Sequence, residues 1–140
     1  MSSIFHCAVL GGNLDATVPF YTDILGCRKD NSEEGQWVDI DFWGNELTLH
    51  QSQNRSVNER HQVDMGNVAV PHFGIHLERA DYDAVKQRLA ENNVPFLDKP
   101  YTRFASDDYE QETFFIEDPN GNVIEIKSLK VAGQGLTPTA

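Results

Sequence analysis

Basic residues are scarce in this 140-residue chain: 11 lysines and arginines stand against 22 aspartates and glutamates, a net charge of −11. Such a surface repels a polyanionic backbone, so nucleic acid is not an expected partner, and neither is an anionic membrane. Net charge says nothing about the inside of a cleft, which leaves small-molecule chemistry open. Long apolar runs are missing, and none approaches the length of a membrane span. The opening stretch, MSSIFHCAVLGGNLD, has neither a basic segment nor a long apolar one, so no signal peptide is expected. Cysteine is limited to Cys7 and Cys27, too few for a disulfide framework and without a zinc spacing. A reducing, cytoplasmic setting is therefore expected, with Cys7, inside an apolar run, acting as a small core residue.

The composition that remains, 39% hydrophobic and 24% charged, is that of one globular domain. IFHCAVL, bounded by GGN, predicts a buried strand. The stretch from Asn13 to Gly26 predicts a helix: Asn13 or Asp15 can cap it, Gly26 stops it, and Pro19 delays or kinks it. CRKDN, QWVDIDFW and NELTLHQ read as three strands, separated by SEEG and a GN turn. Residues 52–67 are polar and predict a surface linker. VAVPHFGIHLE reads as a strand, because Pro71 is hostile to a helix interior and β-branched residues favour extension. A helix follows, with Asp81 as its cap and Tyr82, Val85 and Leu89 on one face. Three more strands close the chain, the last two joined by DPNGN. The expected organisation is a single domain over 1–140: a first module at about 4–51, the linker 52–67, a second module at about 68–129 and a flexible tail 130–140.

Both modules read β-α-β-β-β, and one can be laid over the other. A fixed shift carries His6 onto His72, Ala8 onto Gly74 and Asp15 onto Asp81. A second shift superimposes the two GN turns and carries Thr48 onto Glu125 and His50 onto Lys127. Strand alternation then puts His6, Ala8 and Leu10 on one face, and His72, Gly74 and His76 on one face. The small Ala8 and Gly74 are expected to leave room for a ligand. The expected fold class is α+β, two tandem βαβββ modules forming a curved sheet around a cleft.

With FHCAVL, FYTDILGC, VPHFGIHL and FFIEDPNGNVIEIK in place, the sequence resembles the vicinal oxygen chelate superfamily, which includes glyoxalase I, extradiol dioxygenases and bleomycin-resistance proteins. The resemblance spans roughly Ile4 to Leu129. It implies that the cleft is metal-binding, with ligands from the first and last strands of the modules, positions held by His6, His72 and Glu125. The fourth position falls on Thr48 in the register anchored by the GN turns, which is the register favoured here. Sliding that strand by two brings Glu46 or His50 forward instead, and NELT looks like the glyoxalase pattern at that strand.

Two imidazoles and one carboxylate suit a facial triad with open positions, so Fe(II) is favoured, with Mn(II), Ni(II) or Zn(II) also compatible. The first expectation is an extradiol-dioxygenase-like oxygenation of a small aromatic substrate, with His50 as the acid or base. One alternative is a glyoxalase I-like lyase or isomerase, and another is a metal-free, drug-binding protein of the bleomycin-resistance type. Tyr101, Phe115 and Lys127 are candidates to face the substrate, with packing and a solvated surface as their plainer roles. His76 lies about 13 Å along the strand from His72, too far to share its metal. The cleft forms within one chain or across a dimer, and a homodimer is expected.

Overall fold

The protein is described here from a computed structural model that covers residues 3–63 and 66–129, so the tail expected over 130–140 lies outside the described residues. The first module begins with β1 (His6–Gly12) and a helix, α1 (Leu14–Pro19). The Asn13 side chain accepts from the Asp15 amide at 3.0 Å and caps that helix. Pro19 has no N–H to extend the α-helical ladder. The chain widens instead into a π-helical turn over Phe20–Ile24, closed by Leu25 N–H donating to the Phe20 carbonyl. Gly26, at φ 82°, then ends the segment in a conformation open to glycine.

Strands β2 (Arg28–Glu33), β3 (Trp37–Phe42) and β4 (Asn45–Gln51) complete a sheet of order β1-β4-β3-β2. β1 runs parallel to β4, and the others pair antiparallel. Alternation in WVDIDF is realised: Val38, Ile40 and Phe42 are buried, while Trp37, Asp39 and Asp41 turn to the other side. Leu47 and Leu49 join the buried set, with Leu14, Phe20, Tyr21 and Leu25 supplied by the helical segment. The opposite face of β1 and β4 is open, with His6, Ala8, Leu10, Glu46 and His50 exposed.

The second module repeats the plan. It contains β7 (Phe73–Leu77), α2 (Arg79–Glu91), β8 (Asp98–Arg103), β9 (Gln111–Glu117) and β10 (Val123–Leu129), in the order β7-β10-β9-β8 with β7 parallel to β10. Tyr82, Val85 and Leu89 are fully buried, and the Tyr82 ring lies 5.3 Å from that of Phe114. Helix α2 starts earlier than the sequence implies. Glu78 holds the cap position, and Asp81 falls inside the first turn, where its charge favours the helix dipole. Asn92 and Asn93 end it, Asn93 taking a positive φ of 56°.

Two expectations are corrected between the modules. Residues 52–67 are not all linker: β5 (Glu59–Val63) forms a hairpin with β6 (Gly66–Val70). β5 escapes a periodicity reading because all five of its residues are exposed, so no apolar alternation marks it. VAVPHFGIHLE is also two strands, β6 and β7, interrupted at Pro71, which offers no amide donor to a ladder. His72 therefore stands just ahead of β7 rather than within it.

The chain divides into two compact units, one running to Val57 and including Glu117–Asn122, the other formed by Asn58–Ile116 and the residues from Val123 on. In the first unit the turn DPNGN is more than a tight reversal. Asp118 is 4% exposed and accepts from the Tyr21 hydroxyl at 2.7 Å and from the amides of Asn120 and Asn122. Asn120 and Asn122 donate in turn to the Leu10 carbonyl at 2.9 and 2.7 Å, which fixes the far end of β1. Gly12, at φ 65°, leaves the space that Asn120 fills: a Cβ there would stand 2.4 Å from its Oδ1.

Candidate functional site

In the second module, the turn before β7 aims His72 back at its own backbone: Nδ1 lies 2.6 Å from the Ala69 carbonyl. A carbonyl can only accept, so Nδ1 carries the proton and Nε2 is the atom left to work with. Nε2 lies 3.3 Å from Oε1 of Glu125 on β10. The other oxygen, Oε2, accepts from the Thr113 hydroxyl of β9 at 2.7 Å and lies 3.7 Å from Nζ of Lys127. Burial raises the Glu125 carboxyl, but the hydrogen bonds from His72 and Thr113 and the Lys127 charge outweigh it and hold the group below the usual carboxylate range. His72 is held above its usual range, chiefly by the Glu125 hydrogen bond, against desolvation. Phe115, 1% exposed, meets the His72 ring edge-on at 5.1 Å and belongs to a packed cluster with Ala69, Val123 and the half-buried Tyr101.

The first module holds a second pair of the same chemistry. β1 and β4 bring His6 opposite Glu46, with Nδ1 and Oε1 2.6 Å apart. This pair is far more open than the other: side-chain exposure is 57% and 51%, against 25% and 10% for His72 and Glu125. Thr48, two residues on, lies opposite Ala8, and its hydroxyl donates to Asp39 Oδ1 at 2.6 Å. The register is the one the repeat implies, since Glu125 lies opposite Gly74 as Thr48 lies opposite Ala8. The carboxylate that meets His6 nonetheless comes from position 46. Asp39 escaped notice, although counting back from the hairpin turn at Trp43–Gly44 puts it across from Thr48.

His50 lies opposite Leu10 and Trp37, exposed, on the face of Glu46 but about 13 Å further along at the usual strand rise. His76 lies opposite Lys127, and burial together with that charge lowers its pKa. Gly74 does not leave ligand space. A Cβ there would meet the Glu125 carbonyl oxygen at 2.0 Å, so the missing side chain is what lets β7 and β10 approach.

Among the described residues, no three histidine, cysteine, aspartate or glutamate side chains converge on one point. The donors come as two His–Glu pairs, one in each module. Imidazole nitrogen and carboxylate oxygen together suit Fe(II), Mn(II), Ni(II) or Zn(II). The fixed Nδ1–H of His72 and the Thr113 bond to Glu125 are contacts of the kind that orient metal ligands. The donor chemistry of the two pairs suits a divalent ion, while neither pair alone supplies three protein ligands. No helix among the described residues is long and apolar enough to cross a membrane.

Residues 3–126 match the family model for the Glyoxalase/Bleomycin resistance protein/Dioxygenase superfamily. No curated protein matches the chain. A solved glyoxalase/bleomycin resistance protein/dioxygenase from Alicyclobacillus acidocaldarius is 28% identical, with 93% of each chain covered and a TM-score of 0.74. A lactoylglutathione lyase from Agrobacterium tumefaciens is 24% identical over 95% of this chain and 98% of its own, with a TM-score of 0.62. A fosfomycin resistance protein from Listeria monocytogenes is 13% identical over 94% and 96%, with a TM-score of 0.64. At those last two identities the likeness is one of fold.

Proposed function

Because the chain belongs to the glyoxalase/bleomycin resistance protein/dioxygenase superfamily, we propose that it is a metal-dependent enzyme of the lyase or isomerase type, acting on a small substrate with two adjacent oxygens. The candidate ligands for a divalent ion are the two His–Glu pairs, His6 with Glu46 in the first module and His72 with Glu125 in the second. The observation that carries this reading is Glu46: its carboxylate lies 2.6 Å from His6, as Glu125 lies 3.3 Å from His72. Two histidines and one carboxylate would have favoured a dioxygenase. A fourth protein ligand removes the position that dioxygen needs beside a two-oxygen substrate.

When bound, such an ion polarises both substrate oxygens as a Lewis acid and so acidifies the neighbouring C–H. The protein's own residues then divide the work. Thr113 and Lys127 keep Glu125 anionic and fixed. The Ala69 carbonyl keeps His72 in one tautomer. Glu46, half-exposed and on the more open pair, is the carboxylate free to swing and carry a proton. Lys127 faces the Glu125 carboxylate and offers positive charge to an anionic substrate. A homodimer is the expected form.

Anaerobic metal analysis followed by parallel assays tests the reading. Stoichiometric Ni, Zn or Mn with isomerisation of a hemithioacetal is the expected result. Dioxygen uptake with a catechol panel after Fe(II) loading would instead restore the dioxygenase reading. Failure to bind any divalent ion would leave a metal-free binding protein.

A further inference from the structure

Only one asparagine in the sequence is followed by glycine: Asn120, in the DPNGN turn of the first unit. In an unfolded chain such a step reacts with itself, because glycine sets no side chain beside its own amide nitrogen. The Gly121 nitrogen bonds to Asn120 Cγ, the Cγ–Nδ2 bond breaks, and Nδ2 leaves as ammonia with the proton from Gly121. Water then opens the cyclic imide at either carbonyl and leaves aspartate or isoaspartate. Ring closure needs a free amide nitrogen, a free side-chain amide and a backbone able to rotate.

The fold occupies all three. Gly121 N–H donates to the Asp118 carbonyl at 3.0 Å, which holds both the proton and the direction of the nitrogen. Asn120 Nδ2 donates to the carbonyls of Leu10 at 2.9 Å and Asn54 at 3.2 Å, and Oδ1 fills the space beside Gly12. The Asn120 backbone is held on both sides, its N–H by Asp118 Oδ1 at 2.8 Å and its carbonyl by the Ser56 amide at 3.0 Å. The residue is 6% exposed, so little water reaches it. The product fits badly where the amide fitted well. A carboxylate would set oxygen against two carbonyls that can only accept, and would be buried without those donors. Isoaspartate would also route the backbone through the former side chain and lengthen the turn.

We propose that Asn120 is a self-modification site held shut by the fold: it deamidates when the turn opens, and the product does not rebuild the turn. An opening long enough for ring closure thus retires the chain irreversibly.

The full chain is incubated at mildly alkaline pH with and without denaturing urea, and the tryptic peptide spanning 104–127 is followed by mass spectrometry. In urea, Asn120 should deamidate faster than every other asparagine. Without urea the rate should be about a thousandfold lower or less, following the unfolded fraction of an ordinary domain. Tyr21→Phe, which removes a support of Asp118, should raise the native rate in step with its loss of stability. On dilution from urea, deamidated chains should collect in the non-native fraction while intact chains refold. Asn120→Asp should lower the urea midpoint or fail to fold. Native and unfolded rates within about tenfold of each other would overturn the guard, since opening would then not limit the reaction. Deamidated chains that refold with the wild-type midpoint would overturn the irreversibility.

Discussion

The hydroxyl of Thr113 donates to Oε2 of Glu125 at 2.7 Å, while the other oxygen of that carboxylate faces His72. One oxygen is thereby anchored and the other aimed. Thr113→Val keeps the shape of the side chain and removes the anchor. Metal affinity should fall about 10- to 100-fold, the usual effect of losing such an outer contact. Competition against a chelating dye measures it, and an unchanged affinity would remove Glu125 from the ligand set.

The same pair makes the apo protein sensitive to pH in a defined direction. His72 titrates above its usual 6.5 in the folded state, so its contribution is fully present below 6.5 and is lost as pH rises through the raised value. Glu125 titrates below its usual 4.5, so its contribution is present above 4.5 and is lost as pH falls through the lowered value. Urea midpoints of the apo protein should therefore decline from mildly acidic pH toward alkaline pH. Zinc affinity should move the opposite way, since a ligand imidazole must give up its proton. A stability that rises steadily through neutral pH would contradict the His72–Glu125 pairing.

Glu46 and Thr48 separate two accounts of the first module. Glu46→Gln should lower metal affinity by about the same 10- to 100-fold or more, whereas Thr48→Val should cost only its hydrogen bond to Asp39, about 1 kcal/mol of stability. The sequence made much of this visible. The repeated β-α-β-β-β plan of the two modules follows from hydrophobic alternation and turn residues. The strand register at Thr48 was also correct. What alignment of turns did not reveal is that a His–Glu pair depends on side-chain reach. His6 lies within its strand and meets Glu46 directly opposite, while His72 lies ahead of its strand and meets a carboxylate set against Gly74. Contacts of long range, such as Asp118 with Tyr21, leave no local pattern at all.

Gly74→Ala tests the reason given for that glycine. A methyl group would stand 2.0 Å from the Glu125 carbonyl oxygen, a backbone atom with no side-chain freedom to yield. The strands must part, at a cost near or above the 1–3 kcal/mol typical of overpacking. Because Glu125 is the residue displaced, metal affinity should fall together with stability. Were Gly74 instead open space for a ligand, alanine would leave the urea midpoint unchanged and affect only substrate binding.

Tyr21 and Asp118 are ninety-seven positions apart and joined at 2.7 Å, both buried. Tyr21→Phe removes one of several donors to Asp118, since the amides of Asn120 and Asn122 and the Asn122 side chain still reach it. A loss of about 1–2 kcal/mol is expected. Asp118→Ala strands all those donors at once and should cost about 3 kcal/mol or more, measured by denaturant unfolding. Burial, followed by the Asp118 charge and hydrogen bond, pushes the Tyr21 phenol well above its usual range. It should stay protonated until the protein unfolds. The phenolate absorbance of the native wild type at alkaline pH should therefore match that of Tyr21→Phe, and a wild-type excess of one tyrosine would show that the pair is open to solvent.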